Sequence, residues 1–148
     1  MFLQYGGYSA MENLESLSGV RSLWLDYNCF TRVENLAPLT QLTTLYLSNN
    51  NLSSLAGIST LPSLILLDAS RNALTAVAPG DLRGLKLLKT LDLSANRLTD
   101  ISGVVDATAL TYVAYPRCPA ALLHCLNPAV RSSRLSEPTL SSPLYVAL

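Results

Sequence analysis

One spacing governs most of this chain: apolar residues and an asparagine return every 22 positions. Leu42, Leu45, Leu47, Asn50, Leu52, Leu55, Ile58 and Leu61 define the unit LxxLxLxxNxLxxLxxLxxLxx. Stepping back by 22 gives Val20, Leu23, Leu25, Asn28, Phe30, Val33, Leu36 and Leu39, with no mismatch in type. Stepping forward gives Leu64, Leu67, Ala69, Asn72, Leu74 and Val77, then a two-residue insertion around Pro79 and Gly80. The next unit opens at Leu88 and continues through Leu91, Leu93, Asn96, Leu98, Ile101, Val104 and Ala107. The pair Met11-Glu12-Asn13-Leu14 and Val33-Glu34-Asn35-Leu36 extends the register toward the start of the chain. A fixed period of this size is the mark of a stacked repeat, in which each unit buries its apolar side only against its neighbours.

Five units follow, at 1–19, 20–41, 42–63, 64–87 and 88–109. The alternating LxL segment reads as a short strand with its leucines inward. The return arm is short enough for a 3-10 or single-turn helical segment. The expected fold is an α/β solenoid: a curved parallel β-sheet on the concave face, with short 3-10 or helical return arms on the convex face. Asn28, Asn50, Asn72 and Asn96 each follow a strand, where the chain turns into the coil. There an amide side chain satisfies backbone groups that no strand partner reaches, so these four form a structural ladder. Gly6 takes that place in the first unit, where a tight turn is still required.

Composition narrows the function. The 148 residues include 32 leucines, as a repetitive apolar core requires, and ten basic residues balance ten acidic ones. Zero net charge gives no electrostatic case for nucleic acid or an anionic membrane. No apolar stretch reaches the roughly 18 to 20 residues that span a bilayer, and the start, MFLQYGGYS, has no signal-peptide pattern. Cys29, Cys118 and Cys125 form no paired framework, which favours a reducing, cytoplasmic compartment.

The repeat resembles the leucine-rich repeat in its 22-residue class, with the insertion-bearing unit similar to the longer class. More narrowly, Met1 to Tyr8, Ser22 to Asn28 and Val33 to Leu36 resemble the opening repeats of the axonemal dynein assembly factor family. That resemblance implies a non-catalytic adaptor for preassembly of dynein arms in the cytoplasm or cilium, with dynein subunits and chaperone machinery as partners. A regulatory leucine-rich-repeat subunit of protein phosphatase 1 is the alternative within the class. A fragment of a larger protein whose catalytic domain lies elsewhere is the alternative outside it.

Outward residues of successive strands line up in columns. The middle column reads Phe2, Trp24, Tyr46, Asp68, Asp92, and its neighbours read Gln4, Asp26, Ser48, Ser70, Ser94 and Tyr5, Tyr27, Asn49, Arg71, Ala95. Aromatic residues dominate interface hot spots, so Phe2, Tyr5, Trp24, Tyr27 and Tyr46 are the expected anchors of a protein-binding face. Asp26, Asn49, Asp68, Arg71 and Asp92 complete that face. Packing among the aromatics alone is the competing reading. Asp68 and Asp92 form the one carboxylate pair, read as a solvated acidic end partly balanced by Arg71, since an open sheet offers no catalytic pocket.

No catalytic, cofactor or metal site is expected. His124 is the sole histidine and, with Cys118 and Cys125, matches no common zinc spacing. Cys29 has no histidine in the repeats to activate it and reads as a small packing residue. Residues 110–148 read as a degenerate sixth strand, begun by Leu110, Tyr112 and Val113, and then an irregular tail with five of the eight prolines. No closing cap is expected after it. Ala120 to Leu126 suits one or two helical turns. Two readings stay open: a chain whose continuation supplied more repeats and a cap, or a flexible tail.

Overall fold

The computed structural model describes residues 1–115 and the backbone of residues 144–147. The alternating segments form strands β1 (Ser22–Trp24), β2 (Thr44–Tyr46), β3 (Leu66–Asp68), β4 (Thr90–Asp92) and β5 (Tyr112–Tyr115), which pair in parallel in chain order. The register follows the repeat: Leu23 lies beside Leu45, Leu45 beside Leu67, Leu67 beside Leu91, and Leu91 beside Val113. Three-residue strands suffice because each is locked to both neighbours, and the solenoid makes about four turns. Return arms carry 3-10 turns at Glu15–Leu17, Ile58–Thr60 and Ser102–Asp106.

Burial follows the period closely. Leu42, Leu45, Leu47, Leu52, Leu55, Ile58 and Leu61 have no exposed surface, and the same positions fill the neighbouring units. The insertion around Pro79 and Gly80 bulges outward while Leu82 and Leu85 return to the core. The Gly80 N–H donates to Asp106 of the next unit at 2.6 Å, which fixes the bulge against its neighbour. Arms of adjacent units also pack closely: Gly57, at φ 98°, sits where a Cβ would lie 2.5 Å from the Val33 carbonyl oxygen. A side chain there would meet both backbone strain and a clash.

The first unit differs from the others. Its strand is reduced to one bridge, Phe2 to Trp24, held by Leu3 N–H to Trp24 O (2.9 Å) and Trp24 N–H to Met1 O (3.0 Å). A row paired on one side only lacks the second set of hydrogen bonds that defines the inner strands.

At the far end the expected sixth strand is present as β5 and extends through Ala114 and Tyr115, which were expected in the tail. Within that tail one described segment is not irregular: β6 (Leu144–Ala147) pairs with β5 antiparallel, with Val113 beside Val146 and Ala114 beside Tyr145. Leu144, Tyr145 and Val146 favour strand, and an open sheet edge supplies the partner. Cys118, His124, Cys125 and the helical turns expected at 120–126 lie outside the described residues.

Candidate protein-binding face

The polar skeleton under the face is the asparagine ladder. Asn50 Nδ2 donates to the carbonyls of Leu25, Leu47 and Ser48 at 3.0, 3.0 and 3.2 Å, while its Oδ1 accepts from Phe30 N–H at 3.2 Å. Each amide thus ties its own turn to the preceding one. Asn72 and Asn96 repeat the arrangement on Leu47 and Ala69 of the preceding turns. Asn28 accepts from both Gly6 and Tyr8 and donates to Leu3 O, closing the first turn without an asparagine of its own.

A second device is invisible in the spacing. The residues immediately before the ladder, Tyr5, Tyr27, Asn49, Arg71 and Ala95, all adopt left-handed backbone, with φ between 52° and 59°. Left-handed geometry costs a non-glycine residue roughly 1 to 2 kcal/mol, and the ladder bonds on either side hold it in place. Asn35, also left-handed, donates to Met11 O at 2.7 Å and links the first two return arms. The repeated E-N-L of the two arms was the one sequence signal for it.

The outward columns stand where the alternation places them. Phe2 stacks on Trp24 with ring centroids 4.4 Å apart, and Trp24 stacks on Tyr46 at 5.4 Å. Tyr5 stacks on Tyr27 at 4.4 Å in the parallel column. The aromatics therefore pack on one another and also face solvent: Phe2, Tyr5 and Tyr27 are 68%, 71% and 47% exposed. Trp24 and Tyr46 are half-buried within the stack.

Beyond Tyr46 the middle row continues with its register partner Asp68 and then Asp92. Asp68 Oδ1 accepts from Ser70 N–H at 3.0 Å, and Asp92 Oδ1 from Ser94 N–H at 2.8 Å. Asp26 Oδ1 reaches the next turn, accepting from both N–H and Oγ–H of Ser48 at 2.9 Å. Burial holds the Asp68 carboxyl above the usual aspartate range; the Ser70 bonds oppose this, while the Asp92 and Asp26 charges add to it. A carboxyl raised in the fold stabilises most below its unfolded value and loses that contribution as pH rises through the folded value. Asp68→Asn is therefore expected to gain thermal stability relative to the parent from acidic to neutral pH, as melting curves across that range would show.

Arg71, expected to balance the acidic end in part, makes no ion pair with Asp68 or Asp92; among the described residues the ion pair is Arg32–Glu34, at 3.6 Å. The left-handed backbone of Arg71 lies at the turn beyond the strand. One expectation needs correction. Cys29 is exposed and is not a packing residue, because Phe30, one position later, takes the inward slot. A feature that spacing did not reveal is the apolar cavity of about 280 Å³ at the Met1 end, lined in part by Leu3, Met11, Leu14, Leu17 and Phe30.

A parallel-strand solenoid with an ordered amide spine and a side-chain-bearing sheet face is a repeat scaffold. The comparisons with known proteins agree. The leucine-rich-repeat profile matches residues 40–98 and a profile of two leucine-rich-repeat copies matches 18–60. Between them residues 18–98 carry leucine-rich repeats, and proteins built on this repeat are typically non-catalytic protein-interaction scaffolds.

Among solved structures, internalin C2 of Listeria monocytogenes is 28% identical, with a TM-score of 0.66 over 74% of this chain and 47% of that one. The SNF/U2A′ complex of Drosophila melanogaster contains a chain 27% identical, with a TM-score of 0.57 over 65% of this chain and 57% of that one. An internalin (inlF) of Listeria monocytogenes, at 23% identity and a TM-score of 0.67, shares the fold over 81% of this chain and 36% of that one. The chain thus spans less than half the length of either internalin. No curated protein matches the sequence.

Proposed function

We propose that the strand face is a protein-docking surface, with Phe2, Trp24, Tyr46, Tyr5 and Tyr27 as apolar anchors and Asp26, Asp68 and Asp92 at its acidic end. The observation that carries this reading is the pair of aromatic stacks standing on the side of the sheet turned away from the core. Large rigid rings gain contact area at little entropic cost, and a cluster of five, three exposed and two half-buried, is a large apolar patch for a monomer. A similar solved structure is that of a protein complex, which accords with this use of the fold.

The finer reading is an adaptor for cytoplasmic preassembly of axonemal dynein arms, with dynein subunits and chaperones as partners. Its support is the resemblance carried by Met1 to Tyr8, Ser22 to Asn28 and Val33 to Leu36. Affinity capture from ciliated-cell extract tests both levels. Trp24→Ala combined with Tyr46→Ala is expected to reduce partner recovery by at least about tenfold while the chain still unfolds in one cooperative transition, at a temperature lowered by the loss of the half-buried stack. Unchanged recovery would refute the docking face. Axonemal dynein subunits among the captured proteins would support the finer reading, and phosphatase 1 catalytic subunit in their place would replace it with the regulatory alternative.

A further inference from the structure

The middle row changes chemistry between β2 and β3. Trp24 covers one face of Tyr46, no further ring stacks on Tyr46 among the described residues, and its partner on the other side is Asp68. The stack ends where the carboxylates begin. Asp26, Asp68 and Asp92 each commit Oδ1 to internal donors; beyond the Ser70 hydroxyl that neighbours Asp68, no donor or cation within bonding distance takes up their Oδ2 atoms among the described residues. Gln4 Oε1, at the head of the Asp26 column, is a buried acceptor without a donor. The carboxylates therefore present acceptors beside an open aromatic ring, and no ion pair from Arg71 occupies them.

One side-chain chemistry answers both features. A guanidinium is planar, so it stacks on a ring face, and its forked N–H groups suit two carboxylate oxygens. An ammonium supplies charge without the plane. Phosphate-bearing partners are repelled by the same carboxylates.

We propose that the face takes an extended segment of a partner protein that carries an arginine near an apolar side chain. The guanidinium lies against Tyr46 and donates to Oδ2 of Asp68 and Asp92, and the apolar residue rests on the Phe2–Trp24 end. This rests on the docking reading above and adds the partner's chemistry to it. Burial first, and then the neighbouring Asp92 and Asp26 charges, raise the Asp68 carboxyl, and a cation docked there would relieve the second of these.

Trp24 is the only tryptophan of the chain, so its fluorescence reports directly on the stack. The probe is the acetylated, amidated peptide Leu-Arg-Leu-Arg-Leu, titrated to millimolar concentration beside the same peptide with citrulline in place of both arginines. Citrulline keeps the shape and loses the charge. The arginine peptide is expected to bind about tenfold more tightly than the citrulline peptide, and added salt should narrow the difference. Asp68→Asn with Asp92→Asn should bring the arginine and citrulline affinities together, and the fold should persist since an asparagine Oδ1 still accepts from Ser70 or Ser94. If that variant fails to fold, the arginine and citrulline titrations of the parent decide the matter.

Equal affinity for the two peptides, an unaltered preference in the folded double variant, or no fluorescence response to the arginine peptide would overturn the inference. Equal responses to both peptides would leave the docking face standing without its cationic partner. Unchanged capture by the Trp24 and Tyr46 variant would remove the docking face itself.

Discussion

Asn50→Ala is expected to destabilise the fold by roughly 3 kcal/mol, read as a lowered urea midpoint. Its two amide N–H groups are shared among three carbonyls, its Oδ1 accepts from Phe30 N–H, and the residue is buried. Each buried backbone group left without a partner costs about 1 to 3 kcal/mol. Water reaches the partly buried Ser48 carbonyl and offsets some of the loss. Asn51→Ala, one position later on an exposed side chain, is the control and should stay within about 0.5 kcal/mol of the parent. Equal midpoints for the two variants would show that the ladder contributes nothing.

Leu67→Ala is expected to cost more, about 4 kcal/mol, in line with the cavity left by truncating a fully buried leucine. Leu67 is the central member of an inward row, flanked in register by Leu45 and Leu91, and it has no exposed surface. In a solenoid each turn is stabilised by its two neighbours, so a defect in the middle weakens both interfaces at once. The transition should therefore broaden as well as shift. Leu3→Ala, partly exposed in the row paired on one side, should cost distinctly less. A Leu67→Ala midpoint no lower than that of Leu3→Ala would contradict nearest-neighbour coupling.

The sequence disclosed much of this molecule because its periodic part is local. Once Leu45 and Leu47 are known to face inward, a shift of 22 places Leu23 and Leu25, and burial leaves no other register. The same arithmetic aligned Phe2, Trp24 and Tyr46, whose stacking then follows from strand spacing. What stayed hidden depends on distance or on backbone angle. The pairing of β6 joins residues about thirty positions apart, so nothing around Leu144 announces it. Spacing also does not report φ, so the left-handed turn at Tyr27 or Arg71 could not be read from residue type. The unused oxygens of Asp26, Asp68 and Asp92 emerge only when each serine donor has been placed.

The left-handed column has a further consequence. Two tyrosines, an asparagine, an arginine and an alanine occupy five geometrically equivalent turns. Four of these turns are fastened by the asparagine that follows, and the first by Asn28 reaching Gly6 and Tyr8, so the side chain at each is constrained chiefly by what left-handed backbone tolerates. The scaffold offers one variable character per turn, and within that limit a lineage could rewrite what the surface selects, letter by letter, without redesigning the coil that displays it.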